Sequence, residues 1–223
     1  MKLIILILAN DNEYYLQMQN LWRKYMNTHQ NIKSYFIKYN VNNINNDKDI
    51  FIEDDTIYIK GKNESYIPGC LDKTIKSFEY ILNNENFDYV IRTNMSSVWD
   101  LNKIYNLLLS NNLYASGVIG NHYSQLFISG AGMLFNRDIC NLIIQNKNLL
   151  NYNIIDDVSI GTLLTKLNIN PTALTRFEAY NYENNLQNIN LQEIDNYYHF
   201  RCKSSDNMTI NIMSHIIKLI YSL

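Results

Sequence analysis

The sequence predicts an α/β fold, a single domain with a mostly parallel central sheet flanked by helices. Three observations carry that prediction. Short apolar runs rich in β-branched and aromatic residues alternate with segments of helical period. No linker, internal repeat or low-complexity block divides the 223 residues, and there are only two prolines. With 47% hydrophobic and 18% charged residues the chain can bury a substantial core, which excludes disorder of the whole chain.

The elements follow in order. Residues 3–9 (Leu-Ile-Ile-Leu-Ile-Leu-Ala) read as a buried first strand. The run falls well short of the roughly 18 apolar residues of a membrane span. Asn10-Asp11-Asn12-Glu13 then stands where a secretory signal would carry small residues. Tyr14, Met18, Leu21, Trp22 and Tyr25 share one face of an amphipathic helix. Residues 34–39 read as a second strand. Residues 47–55 are locally acidic and read as loop around a short Phe51-Ile52 strand, with another strand at 56–59. Pro68-Gly69 lead into a helix over 70–82, whose stripe is Leu71, Ile75, Phe78 and Leu82. An apolar strand at 88–92 ends in polar Thr93-Asn94, and Asp100 caps a helix running to 109. Strands are expected at 114–119, 125–128 and 133–135, the last two separated by Ser129-Gly130-Ala131-Gly132. Helices are expected at 137–145, 157–167 and from 208 to the C-terminus, with short strands at 172–177 and 197–201. The last helix carries two apolar stripes, which can pack internally or against a partner, so the oligomeric state stays open.

Composition narrows the function classes. A net charge of −2 from 19 basic and 21 acidic residues gives no global attraction to nucleic acid or anionic membranes. Cys70, Cys140 and Cys202 are widely spaced, odd in number and without a CxxC pair. That argues against a disulfide framework or structural zinc and suits a reducing, cytoplasmic setting. Asn, Ile, Lys and Tyr, all read from AT-rich codons, are over-used, and the Asn42-Asn43 and Asn45-Asn46 clusters read as loop filler. Sequons at Asn63, Asn94 and Asn207 are expected by chance at this Asn density.

Largely parallel sheets bind ligands beyond the carboxyl ends of their strands, so the polar residues there are the candidates. Ala9-Asn10-Asp11-Asn12 can hold a nucleotide base or ribose, or simply cap the first helix. In Arg92-Thr93-Asn94-Met95-Ser96-Ser97, which leads to the helix at Asp100, Arg92 offers a permanent charge to a diphosphate, and Asn94 and Ser96 offer neutral oxygens. The alternative there is a plain polar turn. Gly130-Ala131-Gly132 permits close approach of a flat ligand or marks a bulge. Asp156 and Asp157 stand at a helix start, where one can cap and the other can serve as a general base for a hydroxyl. On a strand, His199, Arg201 and Lys203 would share one face, suited to a pyrophosphate, or form a solvated edge. There is no GxGxxG and no GKS or GKT. His29, His122 and His215 have no metal-like spacing, and no Ser-His-Asp or Cys-His triad is evident.

In order, these pieces resemble the beta-1,3-glycosyltransferase family that includes the Fringe-like and galactosyltransferase enzymes. Glu64-Ser65-Tyr66 followed by Leu71-Asp72-Lys73-Thr74 resembles its E-x-Y…L-x-x-K-T segment. Tyr89-Val90-Ile91-Arg92-Thr93 resembles the strand leading into its DxD motif. Ser129-Gly130-Ala131-Gly132 resembles its SGAGY segment, and Asp156-Asp157-Val158-Ser159-Ile160-Gly161 its E/D-D-V-x-x-G motif. The resemblance spans residues 64–161 and implies a compact, virus-like version of the nucleotide-sugar-binding A-type (GT-A) fold. It implies transfer of a sugar, UDP-linked, to a glycan hydroxyl with inversion, Asp157 acting as base and Asp156 assisting. Lys73, Arg92, Thr93, Asn94 and Ser96 would then lie at the nucleotide sugar, with Gly130, Ala131 and Gly132 at the acceptor and donor-sugar end. His199 would match a C-terminal metal or diphosphate ligand.

The departure is at the DxD, where this chain reads Asn94-Met95-Ser96. Hard divalent cations favour charged oxygens, so Mn²⁺ or Mg²⁺ would be held only weakly by Asn94, Ser96 and His199 with the help of the diphosphate. Alternatively Arg92, Arg201 and Lys203 replace the metal, or the chain is a non-catalytic nucleotide-sugar- or carbohydrate-binding module.

Overall fold

The computed structural model describes residues 1–40, 49–60, 63–122 and 125–222. The Asn42-Asn43 and Asn45-Asn46 clusters, and residues 47 and 48 of the acidic stretch, lie outside the described residues. An eight-stranded sheet runs in the order β3-β4-β2-β1-β5-β8-β7-β9. Its strands are β1 (Leu3–Leu8), β2 (Ile32–Asn40), β3 (Ile50–Glu53), β4 (Thr56–Lys60), β5 (Tyr89–Asn94), β7 (Ala115–His122), β8 (Gln125–Asn136) and β9 (Thr172–Ala173). A separate two-stranded ribbon pairs β6 (Ser97–Trp99) with β10 (His199–Arg201) antiparallel. The helices are α1 (Glu13–Tyr25), α2 (Gly69–Asn84), α3 (Leu101–Ser110), α4 (Arg137–Gln145), α5 (Asp156–Lys166), α6 (Leu191–Ile194) and α7 (Asp206–Tyr221).

The β4-β2-β1-β5 block is parallel, and β8 runs antiparallel to both β5 and β7. Both faces of the sheet are covered, which is why β1 is apolar at every position rather than alternating. Leu3, Ile5 and Ile7 enter one core with Trp22, Ile104 and Ile216, while Ile4, Leu6 and Leu8 enter the other with Phe78, Ile143 and Leu163. Each such side chain contributes about 1.5–3 kcal/mol on burial. The α7 stripes pack internally: Ile212, Met213, Ile216 and Ile217 are buried, and the Tyr221 ring stacks on Tyr25 of α1 at 4.8 Å.

The register fixes the location of any site. β1 lies between β2 and β5, with Leu8 paired to both Ile37 and Asn94. The loop leaving β1 therefore emerges beside the loop leaving β5. Trp22 secures that junction by donating its indole N–H to the Met95 carbonyl at 2.9 Å.

Three expectations need correction. Residues 125–136 form one strand, because Gly130 to Gly132 continue the ladder opposite β5 instead of breaking it. The strand expected over 172–177 is only Thr172–Ala173, with Phe177 bridging singly to Phe200. β6 falls within what read as a polar turn. Its three residues carry no periodic signal and form a strand only because β10 pairs with them.

Candidate functional site

A cavity of about 630 Å³ opens at the carboxyl ends of β1 and β5. The first loop presents Ala9, Asn10 and Asn12, followed by Tyr14 and Tyr15 of α1. Here the capping reading also holds: Asn12 Oδ1 accepts the Tyr14 N–H at 3.0 Å, and Asn10 Oδ1 accepts the Asn12 N–H at 3.0 Å. Asp11 is directed elsewhere. Lys38, buried on β2, donates to its carboxylate at 2.6 Å, and Asp11 does not line the cavity.

The second wall comes from Glu64, Tyr66 and α2. Lys73 is buried, yet its ammonium reaches the cavity, donating to Ala9 O at 2.9 Å and to Glu64 at 2.6 Å. Glu64 also accepts the Tyr39 N–H at 3.1 Å, so one carboxylate both neutralises the buried lysine and fixes the end of β2.

Asn94 and Ser96 supply the third wall, with Arg201 and Lys203 beyond them. Arg201 Nη1 donates to Ser96 Oγ at 2.9 Å. Burial, and then the nearby charge of Arg176, lower the pKa of Arg201 from its usual value. Among the described residues no carboxylate lies within ion-pair distance of Arg201. Lys203 is exposed and lies past the end of β10.

The single cationic face expected for His199, Arg201 and Lys203 does not form. β10 is too short to carry all three, and His199 faces inward, only 3% exposed. Its ring stacks on Trp99 at 4.0 Å and its Nε2 lies 3.2 Å from Ser97 Oγ. Burial, followed by repulsion from Arg176 and Arg201, holds its pKa well below the ordinary value. A buried, neutral ring packed on an indole has no access to a diphosphate or metal in the cavity.

Arg92 also faces inward, at 1% exposure. It pairs with the Asp156 carboxylate, donates to the Gly130 carbonyl, and donates from Nε to Thr74 Oγ1 at 3.2 Å. A weaker contact of 3.4 Å reaches Asn94 Oδ1. Arg92 is thus a buried tie between β5, β8, α2 and α5, not a group presented to a diphosphate. Thr93, Gly130, Ala131 and Gly132 are likewise buried. Thr93 donates to Ala131 O at 2.6 Å and accepts from Trp99 Nε1 at 3.1 Å. The glycines are there for close packing. A Cβ on Gly130 would meet Arg92 Nη1 at 2.9 Å, and one on Gly132 would meet His199 Cε1 at 2.6 Å.

Asp156 and Asp157 divide their roles. Asp156 is buried against Arg92. Asp157 is half-buried, and its carboxylate accepts the Gly130 N–H at 3.1 Å and the Val158 N–H at 2.9 Å. Burial, and then the charge of Asp156, raise its pKa, while those two N–H groups and Arg92 oppose the rise. Asp157 does not itself line the cavity. It is connected to the cavity wall through Gly130, Arg92 and Asn94, and its charge is felt at Tyr66 on that wall.

Several cavity residues escaped the sequence reading. Tyr15 sits off the apolar stripe of α1, and Glu64 gave no hint of its partner nine positions on. Arg176, which lies outside the cavity lining but donates to Ser129 Oγ at 3.1 Å and pairs with Glu178, was hidden in a supposed strand.

The single α/β domain, with its mostly parallel sheet flanked by helices, is a fold shared with solved glycosyltransferases. The chain is similar to a glycosyltransferase involved in glycosylation of the major capsid of PBCV-1, with TM-score 0.57 and 9% identity over 96% of this chain and 100% of that one. It is also similar to the glycosyltransferase GlyE of Streptococcus pneumoniae TIGR4, with TM-score 0.52 and 12% identity over 96% of this chain. It spans only 60% of the length of GlyE. No protein-family model matches the sequence, and no curated protein does. Among the described residues no helix is long and apolar enough to cross a membrane.

Proposed function

We propose that the chain is a glycosyltransferase that moves a sugar from a nucleotide-sugar donor, UDP-linked, to a glycan hydroxyl. The observation that carries the reading is the cleft at the ends of β1 and β5, in a fold shared with glycosyltransferases, with cations on one wall and tyrosines on another. Tyr14 and Tyr15 offer rings to the base, Asn10 offers hydrogen bonds to base or ribose, and Arg201 and Lys203 face the diphosphate. The motif order over residues 64–161, shared with beta-1,3-glycosyltransferases, favours the UDP-linked hexose and the inverting course.

In the transfer, the acceptor oxygen attacks the anomeric carbon and its proton passes to the carboxylate that the motif order assigns, Asp157, which stands behind the cavity wall against Gly130. The bond from that carbon to the phosphate oxygen breaks, and its electron pair leaves on UDP. A carboxylate whose pKa is raised by burial and by Asp156 is a stronger base than an exposed one, which suits this role. Arg201 and Lys203 offset the charge left on the departing diphosphate.

The test is release of UDP from a panel of UDP-sugars incubated with glycan acceptors. Acceptor-dependent release that Asp157→Asn abolishes, with donor binding nearly unchanged, supports the reading. Normal turnover by that variant removes Asp157 from the mechanism. Donor binding without release for any acceptor leaves a sugar-nucleotide-binding module, the reading that the neutral Asn94 and Ser96 would favour.

A further inference from the structure

We propose that the cleft holds its nucleoside diphosphate without a divalent cation, the Arg201 guanidinium and Lys203 ammonium taking the place a metal ion would occupy against the phosphates. The inference rests on the nucleotide-sugar reading and concerns only how that ligand is held.

The donor set does not fit a metal. A hard divalent ion requires oxygen ligands, and tight sites use carboxylates. The strand-end positions that would supply them carry Asn94 and Ser96, and both oxygens already face arginines. Asn94 Oδ1 lies 3.4 Å from Arg92 Nη1, and Ser96 Oγ lies 2.9 Å from Arg201 Nη1. An ion bound to Ser96 would sit within a few ångströms of the Arg201 guanidinium, which no carboxylate pairs among the described residues, and Asn94 offers only a neutral amide oxygen already turned toward Arg92. Two carboxylates line the cavity: Glu64 is already engaged by Lys73 and the Tyr39 N–H, and Asp206 stands in the first turn of α7, past Lys203 and Ser204. His199 is enclosed between Trp99 and Ser97. Among the described residues no three His, Cys, Asp or Glu side chains converge as metal ligands.

The same geometry suits an anion. Arg201 is half-buried, with Arg176 near enough to disfavour its charge further. Its one hydrogen bond goes to a neutral hydroxyl, and no carboxylate among the described residues pairs with it. A guanidinium has five N–H donors in a planar fork that matches phosphate oxygens two at a time. Ser96 holds that fork at the cavity wall, and Lys203 adds a second, exposed charge to the cavity lining. A diphosphate supplies the ion-pair contact that Arg201 lacks among the described residues.

Calorimetric titration of the full chain with UDP, in EDTA and in Mn²⁺, tests the inference, with uridine as a probe that has no phosphates. UDP affinity should agree within about two-fold between the two conditions. Arg201→Gln, checked for native circular dichroism, should weaken UDP by about ten-fold or more and leave uridine unchanged, with Arg201→Lys partly restoring the loss. Lys203→Gln, at an exposed position that tolerates change, should weaken UDP by about three-fold and serves if Arg201→Gln misfolds. UDP binding that requires Mn²⁺, or that ignores both substitutions, overturns the metal-free grip while the nucleotide-sugar reading stands. Absence of UDP binding in both conditions overturns the two together.

Discussion

Arg92 and Arg201 flank the same strand end, and the fold treats them in opposite ways. Arg92 is matched on every side: Asp156 supplies its counter-charge, while Gly130 O and Thr74 Oγ1 accept its remaining donors. Arg201 meets only the Ser96 hydroxyl and has another arginine nearby. A buried cation whose partners are all internal holds secondary-structure elements together. A half-buried cation that feels Glu178 only at a distance, with no carboxylate in ion-pair contact among the described residues, is left with donors for a ligand. The side chain is the same, and the neighbouring carboxylate makes the difference.

The largest effect should come where the matched region adjoins the chemistry. Asp157→Asn keeps the size of the side chain but removes the base, so transfer should fall about 10²- to 10⁴-fold with UDP affinity nearly unchanged. Single-turnover rates alongside calorimetry would show the split. Wild-type transfer should also decline on acidification through a pKa above the ordinary carboxylate value, since burial and Asp156 raise that of Asp157. A rate profile with its acidic limb at the ordinary value would contradict this.

Next is the stability of the matched pair. Arg92→Met should cost about 3–5 kcal/mol in urea denaturation, because the Asp156 carboxyl would remain buried without its partner. Combining it with Asp156→Leu should recover much of that loss. If the double variant is no better than the single one, the contacts to Gly130 and Thr74 outweigh the ion pair.

A smaller effect should come from His199, buried behind the Arg201 wall. Burial, Arg176 and Arg201 hold it neutral in the fold, while in the unfolded chain it takes up a proton below about pH 6.5. The unfolded state then binds more protons, so stability falls as pH drops below that value, at up to about 1.4 kcal/mol per pH unit. His199→Phe should flatten the slope between about pH 6.5 and 5. An unchanged slope would assign it to other groups.

The smallest change is expected from Ser96→Ala, which frees the Arg201 fork without removing its charge. UDP affinity should fall by only about two-fold. A loss as large as that of Arg201→Gln would mean that Ser96 contacts the ligand directly.

The sequence exposed the elements whose signals are local. β1, α1, α2, β5, α4 and α5 all fall where apolar period, capping residues and turn chemistry place them. The site was legible in part. The loop after β1 and the Asn94 and Ser96 positions do meet at one cleft, because parallel neighbours put their carboxyl ends side by side. Period two suggested one cationic face for His199, Arg201 and Lys203, and it could not show that the core already encloses His199 against Trp99 in so short a strand. Nor could it show that Arg92, alone a good phosphate ligand, has Asp156 across from it 64 positions later.

What the chain alone determined was its layering and the order of its polar strand ends, since hydrophobic period and helix caps act between near neighbours. Only the tertiary structure decided which charges are neutralised and which face the cavity. Electrostatic pairing depends on distance in space and on burial, and a position along the chain specifies neither.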